Sequence, residues 1–139
     1  MSRVINPESA GKQRTQLSKA IVLAVRELAR QKDVGAETRD LASFISMALQ
    51  VIADGIEVSV TAWEKRDYWI KADKFRMEWI WAGQIAEKMR TSILSEDWGS
   101  VALLSAQTAQ KLVKIKISEN HRLGKPWVGA FEQLKKQAK

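Results

Sequence analysis

The run DYWIKADKFRMEWIWAGQIAEKMRTSI, residues 67–93, decides the fold of this chain. Within it Tyr68, Ala72, Phe75, Trp79, Ala82, Ala86, Met89 and Ile93 recur at alternating spacings of four and three. At about 100° per residue they fall inside one narrow arc of an α-helix, so the stretch is a helix with a committed buried face. Ile70, Met77 and Trp81 lie roughly 180° to 220° from that arc, where a simple surface helix is polar. This helix is expected to touch two things.

The stretch before it carries the same period. Leu41, Ile45, Leu49, Ile52, Ile56, Val60 and Trp63 run without a break from about Glu37 to Arg66, interrupted only by Asp54-Gly55. A glycine inside a helix costs about 1 kcal/mol against alanine, which a long packed helix can absorb. Gly55 is therefore read as a close-packing point, with a helix split there as the alternative. Lys65-Arg66-Asp67 is the expected reversal, with basic residues closing one helix and the Asp67 carboxylate capping the next. It contains no Gly or Pro, so one bent helix of more than 50 residues stays open.

Farther out, Asn6-Pro7 marks the end of a short arm over residues 1 to about 10, with Pro7 or Ser9 able to open a helix. That helix carries Leu17, Ile21, Ala24 and Leu28 and stops at Asp33-Val34-Gly35. After Ile93, Ser95 is the expected N-cap of a helix with Trp98, Val101, Leu104, Thr108, Leu112 and Ile115, ending near Ser118. Residues 119–126 then read as a loop, followed by a short amphipathic segment with Trp127, Phe131 and Leu134.

Four helices of about 20, 29, 26 and 22 residues with short connections predict an all-α, antiparallel up-down four-helix bundle with two long central helices. Residues 1–118 form that single domain; 119–139 are a basic loop and a short C-terminal helix or tail. At 1.5 Å per residue the middle pair is about 40 Å long and the outer pair about 30 Å, so the central hairpin should overhang.

Composition agrees with one helical domain: 139 residues, 45% hydrophobic, 28% charged, 2 Pro and 7 Gly. The net charge is +7, so nucleic acid or an anionic surface can attract the chain. The excess sits at the ends: residues 1–32 carry 7 basic and 2 acidic groups, 33–110 carry 8 and 12, and 111–139 carry 8 and 2. No recognition motif accompanies it, so any nucleic-acid binding is expected to be weak, non-specific and salt-sensitive. With no cysteine, disulfides and thiolate chemistry are excluded. The N-terminus lacks a secretory h-region and no apolar run has transmembrane length, so a cytoplasmic location with no membrane partner is the expectation.

Catalytic signatures are missing. Helical bundles hold di-iron sites through Glu-x-x-His, but the one histidine, His121, follows Asn120 and has no nucleophile beside it. Glu57 and Glu64 share a helix face and read as solvated charges. Trp63, Trp69, Trp79 and Trp81 are interleaved with Lys65, Arg66, Lys71, Lys74 and Arg76, a mixture that can stack single-stranded bases or bind an apolar ligand. Core packing is the plainer reading, with Trp63 and Trp79 on buried stripes and only Trp69 and Trp81 free. No signature of a known bundle family is matched.

The expected function is therefore non-enzymatic, with no cofactor: a bundle that self-associates, as a dimer, or docks a helical partner. In a hairpin centred near Arg66 and Asp67, residue i of one helix lies level with about residue 133 − i of the other. Met47, Val51 and Val58 then fall at the heights of Met77 and Trp81 and, with Ile70, form the candidate apolar interface. A second subunit is the expected cover, because Pro126 and the charged loop leave the tail weakly tethered. On that reading Trp81→Glu converts a dimer into a folded monomer.

Overall fold

The computed structural model describes residues 7–138, with side chains from Ala10 onward. Of the arm expected over residues 1 to about 10, residues 1–6 lie outside them and the rest is already helix, from Pro7. Among the described residues there are five helices and no strand: α1 (Pro7–Ala29), α2 (Ala36–Glu64), α3 (Trp69–Leu94), α4 (Trp98–Lys111) and α5 (Ala130–Gln137). Pro7 is the first residue of α1, where its missing N–H costs nothing.

α2 runs unbroken through Asp54-Gly55. Gly55 is buried, and a Cβ there would lie 3.6 Å from the Cβ of Ala10. The glycine marks the close approach of α1 and α2. Lys65–Asp67 is a turn, which excludes the single bent helix. The Tyr68 N–H donates to the Trp63 carbonyl at 2.9 Å and the Asp67 N–H to that of Glu64 at 3.0 Å. Asp67 sits in the left-handed region (φ 62°), where glycine usually closes a helix. Its expected role is thereby corrected: Asp67 ends α2, and α3 begins from Tyr68 with no side-chain cap.

The end of α3 repeats this device. Glu96 takes φ 58°, and the Asp97 N–H reaches the Ser92 carbonyl at 2.8 Å. The residue capping α4 is accordingly Asp97, not Ser95; its Oδ1 accepts from the Ser100 N–H at 3.2 Å. α4 also stops at Lys111 rather than near Ser118. From Leu112 the chain reads Leu-Val-Lys-Ile-Lys-Ile, a period of two with β-branched residues, which does not sustain a helix.

α2 is the central element, packed against α1, α3 and α5, while α4 lies against α3 and α1. The α2–α3 pairs descend in register: Ser46 Oγ donates to the Ala86 carbonyl, Ala53 faces Gly83, and Glu57 accepts from Arg76. Ile21, Leu41, Ile45, Leu49, Met89, Ile93, Val101 and Leu134 are fully enclosed. Length and apolarity alone would let α2 cross a bilayer, but 56% of its apolar stretch is buried inside the fold, as in a core helix.

The short α4 has a consequence for α3. Its 14 residues reach back along α3 only to about the level of Trp81. α1, touching Gly55 through Ala10, begins near the level of Val58. Among the described residues the last turns of α2 and the first turns of α3 therefore project beyond their neighbours.

Candidate functional site

The six residues of the predicted seam separate into three environments. Ile70 and Met77 are the most exposed, at 75% and 68%. Met47 and Val51, partly buried and exposed respectively, line a groove of about 770 Å³ between α2, α3 and α5. Val58 is partly buried. Trp81 is in the core at 9% exposure, its ring 5.6 Å from that of Trp79. The expectation of a wet Trp81 is corrected, and with it the Trp81→Glu test, since a buried charge there would unfold the protein rather than split a dimer. The buried arc of α3 widens toward its C-terminal half, where Ile85 is also buried and α4 packs alongside. Tyr68, at the other extreme of the predicted stripe, is 52% exposed.

The tail departs from expectation too. Trp127, Ala130 and Leu134 are buried, and α5 lies on α2. Asp40 of α2 accepts from the Gly129 N–H at 3.1 Å and the Phe131 N–H at 2.9 Å. Those are the free donors at the start of α5, whose own N-cap, Gly129, has no side chain. The tail is held by a carboxylate borrowed from 89 residues away. It covers part of the Met47 and Val51 flank and leaves Met77 open.

Val34, Leu103, Val113 and Val128 are exposed at scattered places, whereas on the outer face of α3 and at the hairpin tip exposed apolar residues gather. Ile80, missed in the sequence reading, joins Ile70 and Met77 as an exposed large hydrophobic. The helical wheel places it on the same side, so the signal was present. Asp73 lies between them and pairs with Arg76 at 3.6 Å. Arg76 also meets Glu57 at 3.3 Å and Glu64 at 3.6 Å. The hydrogen bond to Glu57, followed by the charges of Glu57, Glu64 and Asp73, raises the Arg76 guanidinium above its ordinary pKa. Asp73, Glu57 and Glu64 are thus all satisfied by Arg76.

At the tip, Tyr68, Trp69 and Ile70 are three consecutive exposed residues. They border a shallow groove with Trp63, Phe75, Lys71 and Lys74 and the carboxylates of Asp67 and Glu78. Trp63 is already engaged, with Phe75 4.9 Å away and the Lys71 ammonium 4.5 Å over its ring. Arg14 of α1 covers Phe75 and Trp79 at 5.0 and 5.6 Å; burial lowers its pKa, opposed by the charge of Glu78.

Elsewhere the chemistry is sparse. His121 lies exposed in the loop, its Nδ1 accepting from the Leu123 N–H at 3.4 Å. Glu57 and Glu64 serve Arg76. Among the described residues no three His, Asp or Glu side chains converge as metal ligands. No protein-family model, curated protein or solved structure matches the chain.

Proposed function

We propose that the chain is a non-enzymatic, antiparallel up-down four-helix bundle, α1 to α4 with α5 as an appended clamp, that self-associates through the outer face of α3. The observation that carries this reading is the exposure of Ile70, Met77 and Ile80 on one side of α3. Of the charges set among them, Asp73 and Arg76 are paired with each other, and Lys74 has no carboxylate at ion-pairing distance among the described residues.

Area favours a second copy as the occupant. At their exposures the three side chains present roughly 400 Å² of apolar surface, within the range of functional patches on monomers. Interfaces are a little over half apolar, so such a patch corresponds to about 700 Å² per partner, close to standard size. Asp73 and Arg76 neutralise each other, so Lys74 is the cation beside the stripe that a second copy has to accommodate at the rim.

Sedimentation or light scattering tests the idea. Wild type should be dimeric at tens of micromolar, in the range where modest interfaces associate. Met77→Glu, which sets a charge in the desolvated seam, should give a monomer with an unchanged helical spectrum. A wild type that stays monomeric, or a Met77→Glu protein that stays dimeric, overturns it.

A further inference from the structure

We infer that the α2–α3 hairpin tip docks on the surface of an anionic lipid bilayer, with Tyr68, Trp69 and Ile70 entering the interface and Lys65, Arg66, Lys71 and Lys74 contacting headgroups. This goes beyond the α3 stripe. It uses the end of the hairpin rather than its side, with Ile70 at the join of the two surfaces.

Three features combine at this end of the molecule. Among the described residues the tip projects past the start of α1 and the end of α4, so a flat surface can reach it without meeting either helix. Its three apolar residues are consecutive and exposed, at 52%, 56% and 75%. An aromatic pair beside an aliphatic residue is the composition of a membrane-interface anchor, where amphipathic rings sit at headgroup level. The four surrounding cations have no carboxylate at ion-pairing distance among the described residues. Lys65, Arg66 and Lys74 are open to an anionic leaflet, while Lys71 lies over Trp63; Glu64, the nearest acid on α2, is directed to Arg76, and with Asp67 and Glu78 bordering the same groove the tip is still net basic. Apolar insertion and basic attraction are the two independent signals that stable peripheral binding requires.

A single-stranded nucleic acid suits these residues less well. A stacking platform needs several open ring faces along a basic groove. Here Trp63 is covered by Lys71 and Phe75, Trp81 is in the core, and Ile70 offers no ring.

Co-sedimentation with phosphatidylcholine vesicles, with and without phosphatidylglycerol, tests the inference on the full chain. Binding should require the anionic lipid and weaken as salt rises. Lys65→Gln and Arg66→Gln should each lower the partition coefficient about fivefold, and Trp69→Ser should lower it several-fold while the melting curve stays that of wild type. Met77→Glu should bind vesicles as wild type does, which separates failure of this surface from failure of the dimer stripe. Tip variants that bind as well as wild type would place the attraction in the basic ends and overturn the inference. So would binding that ignores lipid charge, or tighter binding to a single-stranded oligonucleotide that Trp69→Ser abolishes.

Discussion

The two ends of α2 differ in what surrounds them. Around Leu41, Ile45 and Leu49 the helix is enclosed by α1, α3 and α5, and these side chains have no exposure. Toward Trp63 it keeps only α3 as a long neighbour, and its turn ends in exposed Tyr68, Trp69 and Ile70. Both ends belong to long, regular, apolar helices, so the contrast does not come from local sequence. It comes from where the shorter helices stop. A hydrophobic side chain contributes to stability only when something removes it from water, and the neighbours at one end stop before the other.

Truncating each end should widen the contrast. Leu49→Ala removes atoms from a site with no solvent access and should cost about 3 kcal/mol in chemical denaturation. Met77→Ala, measured at a concentration where the chain sediments as a monomer, should cost less than about 0.5 kcal/mol. Comparable losses at the two sites would mean that the overhang is packed against something in solution.

A smaller effect is expected where the enclosed end is clamped. Asp40→Ala leaves the Gly129 and Phe131 N–H groups without their partner and should cost about 1–2 kcal/mol. Hydrogen exchange should show that loss as faster exchange in residues 130–137, with amides around Leu41 and Met89 still protected. Uniform acceleration would show that α5 and the core unfold as one unit.

The smallest effect lies at the α3–α4 turn. The Asp97 carboxylate is held below its ordinary pKa, first by the Ser100 hydroxyl and then by the Ser100 N–H. A depressed folded-state pKa contributes stability that is complete above the unfolded value and is lost as pH falls through the folded one. Asp97→Ala should therefore lower the melting temperature at pH 7. The gap from wild type should close as the pH drops below the ordinary carboxylate range. A gap that persists in strong acid would assign the loss to packing at the turn instead of the cap.

Much of the fold was legible because period and turn chemistry are local. The stripes of α2 and α3, the close-packing role of Gly55 and the reversal at Lys65–Asp67 all follow from spacing. So does the pairing register, which puts Arg76 beside Glu57. The misreadings share a cause. Asp67 and Glu96 closing helices in left-handed geometry were hidden because glycine is the usual sign of that conformation. The early end of α4 was visible as a change of period after Leu112, but the longer helical pattern masked it. Of the proposed seam, Ile70 and Met77 are exposed as the wheel implies, and Ile80 was there to be found. Trp81 was misplaced because a wheel assigns an angle and not a neighbour.

By itself the sequence determined that the chain is helical, where most helices begin and turn, and which residues face away from each helix's own core stripe. These follow from backbone propensity and the 3.6-residue period, which act within a few residues. Tertiary structure alone decided which outward residues stay wet. Trp81 went inside as the α3 core face widened beside α4, and the tail was tied down by a carboxylate distant in the chain. Ile70, Met77 and Ile80 stayed outside because none of the described helices lies over that face of α3. Burial depends on the lengths and ends of other segments, and no local pattern carries that information.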